Sequence, residues 1–215
     1  MTAAYLYIFN YTYQLMKNVS FKPWEGENYK FGGVLGKKIL VIGESHYCKD
    51  CEDVNESDCS DFTQKLIQTL VDGKTASWTG TFRKFERSLV GHETTPEESA
   101  RIWNSLAFYN YLQTAVDGPR KAGTPEDYDK SEDAFYEVLN ELQPDAIIVW
   151  GVTRMWDNMP SRGWKKGDEI KVDGYPLKQG SYTLDNGHEI KAIWIYHPSS
   201  GYSWDWWNKA IKEVL

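Results

Sequence analysis

The sequence contains no long uninterrupted run of apolar residues. A membrane-spanning helix needs roughly 20 of them, and no segment approaches that length. The aromatic N-terminal stretch is broken by Asn10, Thr12 and Gln14, and it has neither the basic start nor the small-residue cleavage site of a signal peptide. We therefore expect no membrane partner and a cytoplasmic location.

Cysteine is scarce and confined to one stretch, where Cys48, Cys51 and Cys59 lie. An odd number in one loop is unlike a secreted disulfide framework. Together with His46 they could hold zinc through one imidazole and three thiolates, in which case His46 could not take part in catalysis. The second close cysteine pair of common zinc sites is missing, so free thiols remain the default and we predict no cofactor.

Positive charge is also in short supply, since 24 lysines and arginines face 31 acidic residues and the net charge is −7. A protein of this charge has no overall attraction for nucleic acid. A local basic groove would still attract it, because the field at a site depends on how the charges are arranged. The sequence shows neither such a convergence nor an oligomeric state.

Aromatic residues are abundant, at 15% of the chain, and most of them are expected in the core. Four continuous apolar runs are typical of buried strands, at about 38–43, 105–109, 146–151 and 190–196. Helical patterns separate or follow them, starting near Asp61, Thr81, Thr95, Ser131 and Trp204. Helices alternating with continuous apolar strands predict an α/β fold with a parallel sheet covered on both faces.

The remaining segments are assigned by their turn residues. The Pro-, Gly- and Asp-rich stretch 117–130 is predicted as a loop. Asp173-Gly174 and Asn186-Gly187 are hairpin signals, so an antiparallel excursion should precede the last strand. We expect one domain over 21–215 and an N-terminal appendage over 1–20. Within it, Met1–Leu15 could come from an upstream start codon, which intact-mass analysis would test.

Two polar segments follow the first and the last predicted strand, Gly43-Glu44-Ser45-His46-Tyr47 and His197-Pro198-Ser199-Ser200. In open α/β sheets, ligands bind outside the carboxyl ends of the strands. The two segments therefore predict a pocket at that edge of the sheet.

Four segments in order resemble the motifs of the uracil-DNA glycosylase superfamily: Gly43–Tyr47, Phe108–Asn110, Pro144–Gly151 and His197–Ser199. The resemblance covers about residues 37–215 and implies a divergent member of the family. It implies a three-layer α/β/α sandwich around a four-stranded, mostly parallel sheet. It also implies hydrolysis of the N-glycosidic bond of a flipped uracil or modified base in DNA.

The resemblance implies catalytic roles for four positions: Glu44, Ser45, His46 and His197. Glu44 would orient or activate the attacking water, and His197 would stabilise the anionic base as it leaves. Ser45 stands where the best-known branch of the family has its catalytic aspartate, and a hydroxyl is no general base at neutral pH. His46 would then handle a proton.

The resemblance further implies seven substrate-binding positions: Gly43, Tyr47, Phe62, Asn110, Pro198, Ser199 and Tyr202. Tyr47 or Phe62 would stack on the flipped base, and the Asn110 amide would read its polar edge. Pro198 and Ser199 match the part of the last motif that pinches the DNA backbone, and Tyr202 is an aromatic candidate for the wedge that follows it.

Two other functions fit the same residues. The chain could be a non-catalytic binder of nucleic acid or nucleotides that kept the pocket and lost the chemistry. It could also hydrolyse free nucleosides or other small molecules, for which an acidic surface is no handicap. A basic stripe flanking the pocket would favour DNA over a free nucleoside or a protein partner.

Overall fold

The computed structural model describes residues 16–47, 59–118, 121–199 and 201–215. Its main feature is a seven-stranded sheet in the order β1-β3-β2-β4-β9-β8-β5, with β6 and β7 forming a separate hairpin. The strands are β1 (Trp24–Glu25), β2 (Ile39–Gly43), β3 (Leu106–Asn110), β4 (Ala146–Trp150), β5 (Trp164–Lys166), β6 (Lys171–Val172), β7 (Tyr175–Pro176), β8 (Lys178–Thr183) and β9 (Glu189–Ile195).

The four predicted strands are the adjacent central strands β3, β2, β4 and β9, and all three pairings between them are parallel. The predicted α/β class is therefore confirmed, but the predicted number of four strands is wrong. Strand β1 adds to β3, and β8 and β5 add on the β9 side, all antiparallel. The antiparallel excursion predicted before the last strand is confirmed by β8, which pairs with β9 beyond the Asn186-Gly187 turn, and by the β6–β7 hairpin at Asp173-Gly174. Strand β1 was not predicted, because it has two residues and no apolar run.

The five predicted helices are present, and two short helices, the fourth and the sixth, add to them. They are α1 (Phe62–Val71), α2 (Thr79–Val90), α3 (Pro96–Trp103), α4 (Pro125–Lys130), α5 (Glu132–Leu142), α6 (Arg154–Asn158) and α7 (Trp204–Val214). Helix α4 corrects the predicted loop over 117–130. It begins at a capping box in which Thr124 and Asp127 each accept from the other's backbone N–H, with Pro125 as first helical residue.

Two apolar clusters fill the space on the two faces of the sheet. Because successive residues of a strand point to opposite faces, Ile42 and Val149 join one cluster while Val41 and Ile148 join the other. Helix α5 contributes to the first cluster, and helices α1, α2, α3 and α7 contribute to the second. The central strands are consequently buried on both sides, and their carboxyl ends are held in one place.

Residues 16–20, assigned above to the appendage, pack against this body. Met16 is buried in the core, the Asn18 amide donates to Glu137, and the Ser20 N–H donates to Gln113. Met1–Leu15 lies outside the described residues. In the described ranges, no helix is long and apolar enough to cross a membrane.

Candidate functional site

A cleft of about 910 Å³ opens at the carboxyl ends of the four parallel strands. Most of the predicted site residues line it, namely Gly43, Glu44, Ser45, His46, Tyr47, Phe62, Asn110, His197 and Ser199. The loops after β2, β3, β4 and β9 meet there because parallel strands all end at the same edge. The first and last segments singled out in the sequence thus share one site.

Two predicted site residues, Pro198 and Tyr202, do not line this cleft. Pro198 is buried. The Tyr202 hydroxyl donates to Ser88 Oγ at 2.7 Å, and its ring stacks on Trp207 with 6.1 Å between the centroids. These contacts hold Tyr202 between α2 and α7, and its expected role as the wedge stays a prediction.

Glu44 is fixed in the cleft by a hydrogen bond to each carboxylate oxygen. Tyr128 Oη donates to Oε1 at 2.5 Å, and Arg154 Nη2 donates to Oε2 at 2.6 Å. Burial, and then the hydrogen bond to Glu44, raise the pKa of Tyr128, so its phenol stays protonated and remains a donor. The Glu44 side chain is 13% exposed, which leaves it accessible at the floor of the cleft.

His46 is a buried, neutral ring that holds Asn110. Burial lowers its pKa to about 3, and the rings of Phe21 and Phe62 flank it at 4.8 and 4.7 Å. Asn110 Nδ2 lies 3.1 Å from Nδ1 and 3.2 Å from Nε2, and Nε2 also lies 2.8 Å from Thr63 Oγ1. Because both nitrogens have protein partners, the geometry favours a positioning role over the predicted proton transfer.

The zinc site considered as the alternative to free thiols is only partly described by the structure. The thiols of Cys48 and Cys51 lie outside the described residues, while Cys59 lies just before α1. Among the residues that the structure describes, no group of three or more histidines, cysteines and acids could hold a metal ion. His46 uses its ring nitrogens for Thr63 and Asn110 instead.

Gly43 is required because the Asn110 side chain passes directly over it. The two residues pair across β2 and β3, and a Cβ on Gly43 would come within 2.1 Å of Asn110 Oδ1. Asn110 is 6% exposed, so its amide is fixed between this glycine and the His46 ring. The position of the amide is therefore set before any ligand enters.

His197 presents a hydrogen-bond donor to the cleft. The Ser199 N–H donates to Nδ1 at 3.2 Å and Ser199 Oγ lies 2.8 Å from the same atom, so the ring proton must be on Nε2. Partial withdrawal from water, and then the charge of Arg154, lower the pKa of His197. The ring meets Trp150 edge-on at 5.5 Å. At neutral pH it is an uncharged donor through Nε2.

Aromatic rings form one wall of the cleft, contributed by Phe62, Trp78, Phe82, Phe108 and Trp150. The indole N–H of Trp150 is buried and has no hydrogen-bond partner among the described residues. Tyr47 and Tyr196 stand at the mouth and are each about half exposed. A flat ring with polar edges fits such a wall, because its faces can stack while its edge reaches Asn110 and His197.

Sequence reasoning missed Tyr128, Arg154, Trp150 and Lys121. Arg154 could have been found, because it follows β4 at the same edge of the sheet that pointed to Glu44 and His197. Tyr128 carried no such signal. It meets Glu44 across 84 positions of sequence and sits in a helix that was read as a loop.

The chain was compared with models of protein families and with curated proteins. No protein-family model matches the chain, and no curated protein matches it significantly.

Proposed function

We propose that the chain has the uracil-DNA glycosylase fold and hydrolyses the N-glycosidic bond of a nucleobase bound in the cleft. The observation that carries this proposal is the pairing of an anchored carboxylate with a neutral histidine donor in one cleft, Glu44 and His197. The four parallel strands, with helices on both faces of the sheet, support the fold.

Recognition of the base rests on Asn110 and the aromatic wall. The amide of Asn110 offers a donor and an acceptor to the edge of a pyrimidine. Phe62 lines the cleft beside His46, where its ring would stack on the face of the base. Neither group needs to be reorganised on binding, because both are packed in place.

The chemistry requires stabilisation of two opposite charges. As the bond from C1′ to the base nitrogen breaks, the sugar gains oxocarbenium character and the base leaves with the electron pair. Glu44 stabilises the sugar cation and positions a water, whose oxygen bonds to C1′ while its proton goes to the carboxylate. The Nε2–H of His197 donates to the anionic base, as an oxyanion-hole donor does.

A second candidate is a binder of nucleotides or nucleic acid without catalysis. It is favoured by the full engagement of Glu44, whose two oxygens both accept hydrogen bonds from protein donors. Neither oxygen is then free to accept from a water, and the neighbouring Ser45 hydroxyl is no general base at neutral pH.

Incubation with single- and double-stranded oligonucleotides that contain uracil or other altered bases distinguishes the two candidates. Alkali then cleaves any abasic site. We expect base release by the native chain and a loss of roughly a hundredfold or more in Glu44→Gln and in His197→Gln. Matched controls are Glu93→Gln and His92→Gln, which change exposed residues outside the cleft.

Salt-sensitive binding of the oligonucleotides without base release would refute the hydrolase and support the non-catalytic binder. If the chain neither binds the oligonucleotides nor releases a base from them, the hydrolase and the binder are both refuted. Equal losses in the exposed controls would show that the assay reports on general damage and that Glu44 and His197 have no special role.

A further inference from the structure

The charge of the cleft is opposite to that of the whole chain. Its charged lining consists of Glu44, Lys121 and Arg154, so the described part of the cleft carries one net positive charge. His197 adds none, because its pKa is lowered. The entire chain has a net charge of −7. An anionic group is therefore attracted to this site although the rest of the molecule repels it.

Arg154 has donors to spare in this cleft. Among the described residues, Glu44 is the one side chain that accepts from its guanidinium, through a single nitrogen. A guanidinium has five N–H donors in a planar fork, which suits the oxygens of a phosphate. The Arg154 side chain is 44% exposed, so those remaining donors are open to the cleft.

Glu44 would keep its place without Arg154. Its other oxygen accepts from Tyr128, whose ring stacks on Tyr111 and whose helix is fixed by the capping box at Thr124. The carboxylate is therefore anchored from two independent sides. Loss of the arginine contact would release Oε2 alone.

We propose that Arg154 is the phosphate-binding residue of the cleft and that a bound phosphate draws it away from Glu44, exposing Oε2 to the attacking water. The inference rests on the proposed function and narrows the preferred substrate to one that carries a phosphate, a nucleotide or a nucleic acid, over a free nucleoside. Lys121 at the same cleft strengthens the attraction.

The exchange makes binding and chemistry depend on each other. While Arg154 holds Oε2, its guanidinium occupies the carboxylate oxygen to which the water proton would go. Once the guanidinium pairs with phosphate, Oε2 accepts the water proton as the oxygen bonds to C1′ and the base leaves with the electron pair of the broken bond. The base anion then takes a proton from solvent and Glu44 returns its proton to solvent, so that one water is consumed for each base released.

The test compares 2′-deoxyuridine, its 5′-monophosphate and a uracil-containing oligonucleotide as substrates. We expect the phosphorylated substrates to be preferred at least about tenfold, as for a hydrogen bond between charged partners. Arg154→Gln should abolish that preference, Arg154→Lys should restore part of it, and inorganic phosphate should compete with the native chain only. Arg101→Gln, an exposed arginine on α3, is the matched control.

A binding measurement separates this inference from the proposed hydrolysis. Quenching of the cleft tryptophans by the 5′-monophosphate is titrated at several salt concentrations, with Lys121→Gln as a further variant in case Arg154→Gln does not fold. Affinity that depends on phosphate and is lost in these variants supports the inference even without base release. Equal affinity for nucleoside and monophosphate, unchanged by both variants, would overturn it, whether or not bases are released.

Discussion

Two histidines that line the cleft are uncharged, and their ring nitrogens have different hydrogen-bond partners. His46 is neutral because it is buried, and it uses both ring nitrogens to hold Thr63 and Asn110. His197 is neutral with its proton on Nε2, because Nδ1 accepts from the Ser199 N–H. The first ring positions the Asn110 amide, and the second lines the cleft as an uncharged donor.

The neutrality of His46 predicts a pH-dependent stability. Its pKa is about 3 in the folded chain and 6.5 when unperturbed, so between these values only the unfolded chain binds the proton. This contribution is complete above pH 6.5 and is lost as the pH falls, at up to about 1.4 kcal/mol per pH unit. The free energy of unfolding, measured by urea denaturation at several pH values in this range, should depend less steeply on pH in His46→Gln than in the native chain.

The control for this experiment is His92→Gln, which removes an exposed histidine. Its free energy of unfolding should depend on pH as steeply as that of the native chain. If the native chain and His46→Gln lose stability in parallel on acidification, His46 is not the group that titrates.

At the scale of elements, two helices begin in the same way and differ in what they carry. Both α3 and α4 start with threonine, then proline, and a capping box closed by an acid three residues later. Helix α3 packs in the core, whereas α4 brings Tyr128 to Glu44. The same local motif therefore supports the fold in one place and the site in the other.

This pair of helices provides a matched test of the site. Thr95→Ala and Thr124→Ala should each lower the free energy of unfolding by about 1 kcal/mol, because each removes one helix cap. Only Thr124→Ala should also lower base release, by about fivefold to tenfold, since it loosens the helix that holds Tyr128. Unfolding curves and single-turnover rates of both variants would check this. Equal rates of base release would show that α4 does not contribute to catalysis.

Elements with a strong local signal were predicted correctly. The strands β2, β3, β4 and β9 are continuous apolar runs, and the start of α3 matches its Thr95-Pro96 signature. The same signature at Thr124-Pro125 was overlooked inside a polar stretch. Strand β8, Lys178–Thr183, has a polar sequence and is a strand because its neighbours β9 and β5 supply the backbone hydrogen bonds.

At the scale of the molecule, the buried carboxylate of Glu86 links helices α2 and α3, which cover the same face of the sheet as α1. Glu86 on α2 is fully buried and accepts from Ser99 Oγ at 2.7 Å and Trp103 Nε1 at 2.8 Å, both on α3. Thr94 Oγ1 and Arg83 Nη1 donate to its other oxygen. Removing one partner of such a network leaves the others without their acceptor.

Glu86→Ala should therefore lower the free energy of unfolding by about 3–5 kcal/mol, as for the loss of one partner of a buried ion pair. Glu93→Ala, which removes an exposed carboxylate paired with Arg87, should change it by less than about 1 kcal/mol. Urea denaturation would compare the two. Similar losses in both variants would show that the network contributes little.

The sequence by itself determined the α/β class, the four central strands and the edge of the sheet where the cleft opens. These follow from local patterns, because apolar runs specify buried strands and polar residues after them mark their ends. Most of the site residues expected at that edge do line the cleft.

Only the tertiary structure decided what each of those residues can do. The tautomer of His197 follows from a folded turn, the neutrality of His46 from burial, and the anchoring of Glu44 from Tyr128 and Arg154, 84 and 110 positions away. Protonation, hydrogen-bond direction and local charge depend on neighbours in space. A linear pattern does not contain those neighbours, which packing brings together.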